Sequence, residues 1–355
     1  MESENEKPSD VDMVLHVVDE AQKEKMFINM KGVEQIALEV MTYIVRNIEN
    51  FNFGEVALNY VRLSSEYHPE RYDSRAADWL FVLNTLNFST WVPNNAQEWK
   101  VNGLTGYMAV AAAIKRAIDD GKPIWDPKFY TKLTVDEMKF IFRGDDNNDM
   151  PGTHEKLKIL HAVGNTLLDC YKGTFAECIK SCNRDALMLM ITIHNNFGVY
   201  RDVVYYDEES VSLYTKAWTL VADIRAFYST EHELGIELTM RKCSTMFVDY
   251  RIPQVLNHFN ALVFKKNLLK EENEILKHGS KEELEIRCCS CMIIKYVQQL
   301  LMERCEKYVK RYLPETLLPK FDYMCLIDNF LWDYRQMYDE QLKKSVLYKT
   351  YTLQY

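Results

Sequence analysis

Apolar positions recur along this chain at helical spacing far more often than in strict alternation. Val33, Ile36, Ala37, Val40, Met41, Ile44, Val45 and Ile48 trace one face of an amphipathic helix. Leu157, Leu160, Val163, Leu167 and Leu168 do the same inside a helix predicted from Glu155 to Tyr171. Another helix should run from Gly103 to Asp120, stopped by Gly121 and Pro123. Thr134-Val135-Asp136-Glu137 has the spacing of a capping box, opening a helix through Met138, Ile141 and Phe142 that Gly144 closes. Shorter helical pieces are expected from Phe175 to Met190, and a further helix from Lys216 to Phe227. Ser280 to Glu283 is a second capping box, starting a helix to about Tyr312 that Pro314 ends, and Asp322 to Leu342 forms the last helix. Asp78 to Phe88 is apolar nearly throughout, so it should be buried, and Asn84, Thr85 and Asn87 within it need hydrogen-bond partners or a ligand. Alternation is convincing only at Val203-Val204-Tyr205-Tyr206 and Val211-Ser212-Leu213-Tyr214, which predict a small hairpin turning at Asp207-Glu208-Glu209.

The chain has 355 residues, with 12 glycines and 9 prolines, too few turn formers for a fold of many short strands. No internal repeat or flexible linker divides it. The expectation is a mostly α protein: a loose acidic tail over residues 1–12, then a single helical domain over 13–355. Apolar residues make up 47% of the sequence, which suffices for a large core. A net charge of −9 argues against a wide grip on duplex nucleic acid, but leaves room for a small phosphorylated ligand in one basic pocket. No apolar run reaches the roughly 18 residues needed to span a bilayer, and residues 1–12 do not resemble a signal peptide. Nine cysteines without such a signal read as reduced thiols of a cytosolic or nuclear protein.

Metal and phosphate-loop chemistry finds no motif. Cys288 and Cys291 form a C-x-x-C inside an apolar helical pattern, without a second pair at zinc spacing, and read as core thiols. Neither G-x-G-x-x-G, a Walker run nor G-x-S-x-G occurs. Carboxylates remain. Asp249 lies just before Pro253, which suits the first turn of a helix continuing through Val255, Leu256 and Phe259. There the N-terminal backbone N–H groups favour a charged carboxylate, which can be a cap, a salt-bridge partner or a catalytic anion. Asp328 and Asp333 sit five apart in an apolar helix, about 140° apart around its axis. Each either pairs with an arginine such as Arg287 or Arg335, or meets a ligand carrying a cation or N–H donors. Arg201, Lys216, Arg251 and Arg287 each sit beside apolar or acidic segments, as ion-pair members or jointly as a phosphate holder.

Thr245-Met246-Phe247-Val248-Asp249-Tyr250-Arg251-Ile252-Pro253-Gln254, of the form T-x-F-x-D-Y-R-I-P-Q, resembles the signature of the queuosine salvage family. Further motifs follow that family's order. They are Ala77-Asp78-Trp79, Asn84 through Ser89 with Trp91, Leu133 to Glu137, Tyr200-Arg201-Asp202, Glu285-Ile286-Arg287 and Leu331-Trp332-Asp333. The resemblance spans about residues 30 to 340. It implies a helical fold similar to that of helical DNA glycosylases, and hydrolysis of queuosine 5′-monophosphate to queuine and ribose 5-phosphate, without metal or cofactor. The catalytic aspartate it implies is Asp249; the base-binding positions are His68, Phe247, Asp328, Asn329 and Asp333. Arg201, Lys216, Arg251 and Arg287 are the candidates for the 5′-phosphate. The expected partner is this nucleotide, with no duplex nucleic acid or membrane, and a monomer is expected. The chain departs from the family in carrying Asn84 where an acid is usual, and Tyr214-Thr215-Lys216-Ala217-Trp218 in place of Y-K-R-A-Q. A non-catalytic helical protein binding a nucleoside or a protein partner is the competing reading.

Overall fold

The computed structural model describes residues 9–46, 66–70, 73–93, 96–237, 248–265, 275–312 and 323–355. Phe247, with Thr245, Met246, Ile48, Pro314 and Asp322, lies outside them. The described residues are mostly helical, as the periodicity predicts, and group into two compact units, each assembled from separated stretches of chain.

The first unit takes its residues from Met1–Ala57, Asp202–Thr215 and Lys242–Tyr351. Its centre is α12 (Lys281–Tyr312), against which α1 (Asp10–Glu24), α2 (Met30–Arg46), α11 (Ile252–His258) and α13 (Tyr323–Met337) pack. On α2 the buried positions are Val33, Ile36, Ala37, Val40 and Ile44, one stripe at the 3–4 spacing that faces α12. Burying each of these valine and isoleucine side chains contributes about 1.5–3 kcal/mol. Gly32 allows the closest approach: a Cβ there would meet the Ala261 backbone at 2.5 Å.

Helix α1 takes residues 10–12 out of the expected tail over residues 1–12, whose first eight residues lie outside the described ones. Ser9 accepts from the Asp12 N–H at 3.2 Å while the Asp12 carboxylate takes the Ser9 N–H, so the helix opens at Asp10 on a capping box. The hairpin is β2 (Val203–Tyr206) with β3 (Glu209–Ser212), Val203 opposite Ser212 and Tyr206 opposite Glu209. Its turn is two residues, not three, because Asp207 and Glu208 both take positive φ and let Glu209 join the ladder. Two shorter ladders escape the pattern: β1 (Met26–Ile28) antiparallel to β4 (Leu262–Phe264), and β5 (Ile275–Leu276) parallel to β6 (Lys349–Thr350). The helix expected from Asp322 to Leu342 is interrupted at Tyr338 and resumes as α14 (Asp339–Leu342). Cys288 and Cys291 belong to the buried face of α12, as core thiols.

The second unit takes its residues from Leu58–Arg201, Lys216–Arg241 and Thr352–Tyr355. Helix α3 (Ala76–Leu86) is buried along its whole length, with α4 (Gly106–Asp119), α7 (Thr153–Cys170) and α8 (Phe175–Ser181) packed against it. Phe81 stacks on Phe175 at 4.5 Å and meets Phe197 edge-on at 5.0 Å, the aromatic heart of this core. The remaining helices are α5 (Pro127–Tyr130), α6 (Val135–Ile141), α9 (Ala186–Asn196) and α10 (Thr215–Phe227), whose first residue belongs to the first unit. Thr134 and Glu137 make the predicted capping box at the start of α6. No described helix is long and apolar enough to cross a membrane.

Candidate functional site

Asp249 occupies the turn that leads into α11. Its Oδ1 accepts the N–H of Arg251 at 2.8 Å and that of Ile252 at 3.0 Å, so the carboxylate caps the turn while Pro253, which has no N–H to offer, fits the first helical turn behind it. Asp249 is partly buried. Its cationic neighbours are Arg251 and Arg335, each of which senses its charge. Arg335 belongs to α13, so the fold brings Asp249 beside the helix that carries the other candidate acids.

Arg251 is fixed from several sides. Its guanidinium donates to Gln254 at 3.3 Å, lies 3.8 Å from the Asp339 carboxylate and sits over the Tyr250 ring at 5.4 Å. Burial alone would lower its pKa, but Tyr250, Asp339 and Asp249 together hold it above the ordinary arginine value. Arg335 goes the other way, lowered by burial and by the neighbouring Arg251 charge, and its guanidinium lies over Trp332 at 5.5 Å.

Asp328 and Asn329 are buried on α13, 7% and 3% exposed, while Asp333 is half-buried. Asp333 takes neither Arg287 nor Arg335 as its hydrogen-bonded partner; it accepts from the Tyr43 hydroxyl at 2.8 Å, reaching across to α2. Burial raises the Asp333 pKa, and the Tyr43 hydrogen bond opposes that rise. The Tyr43 hydroxyl is itself pushed well above the usual phenol range, by burial first and by the acid it serves second. Tyr43 has no sequence signal pointing to position 333; it lies on the flank of the α2 apolar stripe. Phe259, Phe330 and Tyr338 gather around the Tyr334 ring, with centroids 4.8, 5.6 and 4.5 Å from it.

Arg287 is a member of a buried ion network. Its Nη2 donates to Asp202, and to the Thr215 hydroxyl at 3.0 Å; its Nη1 lies 3.4 Å from Glu283 one turn earlier on α12. The side chains of Arg287 and Asp202 are 3% and 0% exposed, so this is the ion-pair alternative in its fully desolvated form.

Three candidates belong to the second unit. His68 is buried, stacked on Tyr107 at 5.7 Å with its Nε2 3.2 Å from the Tyr107 hydroxyl. Arg201 is exposed and donates to the Asn195 carbonyl at 2.9 Å. Lys216 is 3% exposed; its Nζ donates to the Asn87 carbonyl at 3.1 Å and lies over the Phe88 ring at 4.9 Å. The polar residues of α3 find protein partners: Asn84 donates to Asp223 at 2.7 Å and Thr85 meets the Tyr200 hydroxyl at 3.0 Å. An acid at position 84 would face the buried Asp223 carboxylate to carboxylate, a conflict the amide removes.

A profile of the family described as queuosine salvage protein matches residues 67–355. Among curated relatives, the queuosine 5′-phosphate N-glycosylase/hydrolase of Bos taurus is 33% identical over 296 residues, covering 82% of this chain and 84% of its own length. The protein of that name from Mus musculus is 32% identical over 296 residues, 82% of this chain and 85% of its own. A bacterial protein of the same name, from Sphaerobacter thermophilus, is 31% identical over 231 residues, 64% of this chain and 70% of its own.

Proposed function

The chain belongs to the queuosine salvage protein family, and from that premise we propose that it hydrolyses the N-glycosidic bond of queuosine 5′-monophosphate. Water adds across the bond: its hydroxyl goes to the anomeric carbon and its proton to the base, giving ribose 5-phosphate and queuine. Cleavage develops positive charge on the ribose, which an adjacent carboxylate stabilises or traps. We assign that task to Asp249. Its two backbone N–H bonds converge on Oδ1, so Oδ2 is the oxygen turned to the sugar in this reading. The observation that carries the reading is this fixed carboxylate beside α13, the helix that presents Asp328, Asn329 and Asp333.

Queuine is a 7-deazaguanine. It lacks the N7 at which guanine is protonated on leaving, and its exocyclic secondary amine is cationic near neutral pH. Asp333, with Asp328 and Asn329, supplies acceptors for that amine and for ring N–H groups. Phe247 is assigned to stacking and His68 to the base. Arg201, Lys216, Arg251 and Arg287 are assigned to the phosphate, Arg287 with the least freedom, since Asp202 and Glu283 already meet its charge. In this reading the protein acts as a cofactor-free monomer of the cytosol or nucleus.

The test is incubation of the purified chain with queuosine 5′-monophosphate, followed by chromatography for free queuine. Stoichiometric queuine and ribose 5-phosphate are expected. Tight binding of the nucleotide with no base released would overturn the hydrolytic reading in favour of a binding protein.

A further inference from the structure

Two cysteines of the second unit stand together in a polar setting that hydrolysis of the nucleotide does not use. Cys178 lies in α8 and Cys182 caps its C-terminal end, four residues on, so both thiols share one face of the helix. Cys178 is fully buried and Cys182 is 4% exposed. The Cys182 Sγ lies 3.3 Å from the Cys178 carbonyl oxygen, 3.5 Å from the Thr192 hydroxyl on α9 and 3.8 Å from the Ser181 hydroxyl. The two thiols also hydrogen-bond each other, and the Tyr171 hydroxyl reaches Cys178. The core thiols of α12 differ: Cys288 and Cys289 are fully buried, and burial before all else pushes both up.

The thiolate is the nucleophilic form of a cysteine, and donors around the sulfur favour it. Cys182 has the Thr192 hydroxyl, the Cys178 thiol, and the Ser181 hydroxyl whenever that group turns from the Cys178 carbonyl it now meets at 2.7 Å. The Cys178 hydrogen bond is the largest influence and brings the Cys182 thiol below the usual range, against burial and the Asp185 charge. The same contact, with burial, pushes Cys178 up, so Cys182 is the nucleophile of the pair and Cys178 keeps its proton. Helical geometry sets the Cα atoms of residues four apart at about 6 Å, inside the span a disulfide tolerates, but holds their Cβ atoms too far apart. The last turn of α8 must open for the two sulfurs to bond, and it is placed to do so. Cys182 already leaves helical geometry, with φ −94° and ψ 10°, and Asn183 and Arg184 behind it take left-handed φ of 49° and 64°. Side chains other than glycine enter that region at a cost, which rearrangement of this segment relieves.

We propose that Cys178 and Cys182 form a peroxide-sensitive dithiol, a site of oxidative modification separate from the nucleotide chemistry. The Cys182 sulfur attacks one oxygen of hydrogen peroxide; the O–O bond breaks, water leaves, and Cys182 becomes a sulfenic acid. The Cys178 sulfur then attacks the Cys182 sulfur, the S–O bond breaks, and a second water leaves as the disulfide forms. Peroxide is the oxidant: one molecule takes two electrons and two protons from the two thiols and ends as two waters. None of the residues given to the nucleotide takes part. The opened turn is at the far end of α8 from Phe175, whose ring stacks on Phe81 and whose N–H meets Asp78, so those core contacts persist.

The experiment treats the reduced full chain with hydrogen peroxide at neutral pH, blocks the remaining thiols by alkylation and digests with trypsin. Cleavage after Lys180 separates Cys178, in residues 173–180, from Cys182, in residues 181–184, so the disulfide appears as two linked peptides in the mass spectrum. Cys170 is the internal comparison: it is exposed, and would be oxidised first if access alone decided. The linked pair should form at least about ten-fold faster than Cys170 is oxidised. In Cys178→Ser the sulfenic acid on Cys182 should persist and be trapped by dimedone. In Thr192→Val, which keeps both thiols, the linked pair should form several-fold more slowly. Circular dichroism reports whether each variant folds, and the wild-type digest remains decisive if a variant does not. Oxidation of Cys170 with no linked pair in wild type, or a folded Cys178→Ser without a dimedone adduct on Cys182, overturns the proposal.

Discussion

Replacing Arg287 with methionine separates a structural cation from a ligand-binding one. Methionine keeps much of the stem volume and removes the guanidinium, leaving the Asp202 and Glu283 carboxylates, 0% and 2% exposed, without it. Asp202 keeps a hydrogen bond from the Thr215 N–H at 3.3 Å, and Glu283 one from the Gly279 N–H at 3.2 Å, so neither is stripped entirely. Removing one partner of a buried ion pair costs about 3–5 kcal/mol, and those remaining bonds argue for the middle of that range, about 4 kcal/mol. For a chain of 355 residues that corresponds to a fall in Tm of about 5 °C. Urea unfolding followed by circular dichroism, with a thermal scan alongside, measures it. The double variant Asp202→Asn with Arg287→Met should recover part of the loss, because it removes a buried charge rather than orphaning one. A single variant within about 0.5 kcal/mol of wild type, but with a much raised KM for the phosphorylated substrate, would refute the ion-pair account and leave the phosphate as the main partner of Arg287.

Two further outcomes follow from side chains already placed. Tyr43→Phe removes the hydroxyl that opposes the burial-driven rise of the Asp333 pKa. KM for the cationic substrate should rise on the order of ten-fold with kcat little changed, and the effect should grow as pH falls; an unchanged KM across pH would contradict the role given to Asp333. Asp78 is held at about 7, above its ordinary 3.8, chiefly by burial and against a hydrogen bond from the Phe175 N–H. A raised acid contributes stability that is complete below about 3.8 and is lost as pH rises through about 7. Asp78→Asn, whose amide oxygen can still accept from Phe175, should leave Tm unchanged near pH 4 and raise it near pH 8, by on the order of 2–4 kcal/mol of stability. Equal effects at both pH values would count against it.

The helices were legible where the chain carries both a stripe and a stop signal. α6 has its Thr134–Glu137 box, and α12 opens just after Ser280, which accepts the Glu283 N–H. α1 was hidden because its cap and first turn are acidic and polar, indistinguishable in composition from a solvated tail. The two-residue and three-residue ladders carry too few positions to show alternation, and tertiary pairing alone selects them. The candidate acids could be named from the sequence, but their partners could not. Tyr43 and Asp333 are 290 positions apart, and only packing of α2 and α13 joins them. Lys156 precedes the inward-facing Leu157 in Glu155-Lys156-Leu157-Lys158, and nothing local shows its Nζ returning to Pro151.

The most direct measurement is the rate of queuine release from queuosine 5′-monophosphate by Asp249→Asn beside wild type. An asparagine Oδ1 can still accept the Arg251 and Ile252 N–H groups, so the turn into α11 survives while the charge is removed. The prediction is an unaltered circular dichroism spectrum and a fall in kcat of at least about 1,000-fold, on the order of 4 kcal/mol of lost transition-state stabilisation. An Asp249→Asn protein that releases queuine at the wild-type rate would contradict the assignment of the chemistry to this carboxylate.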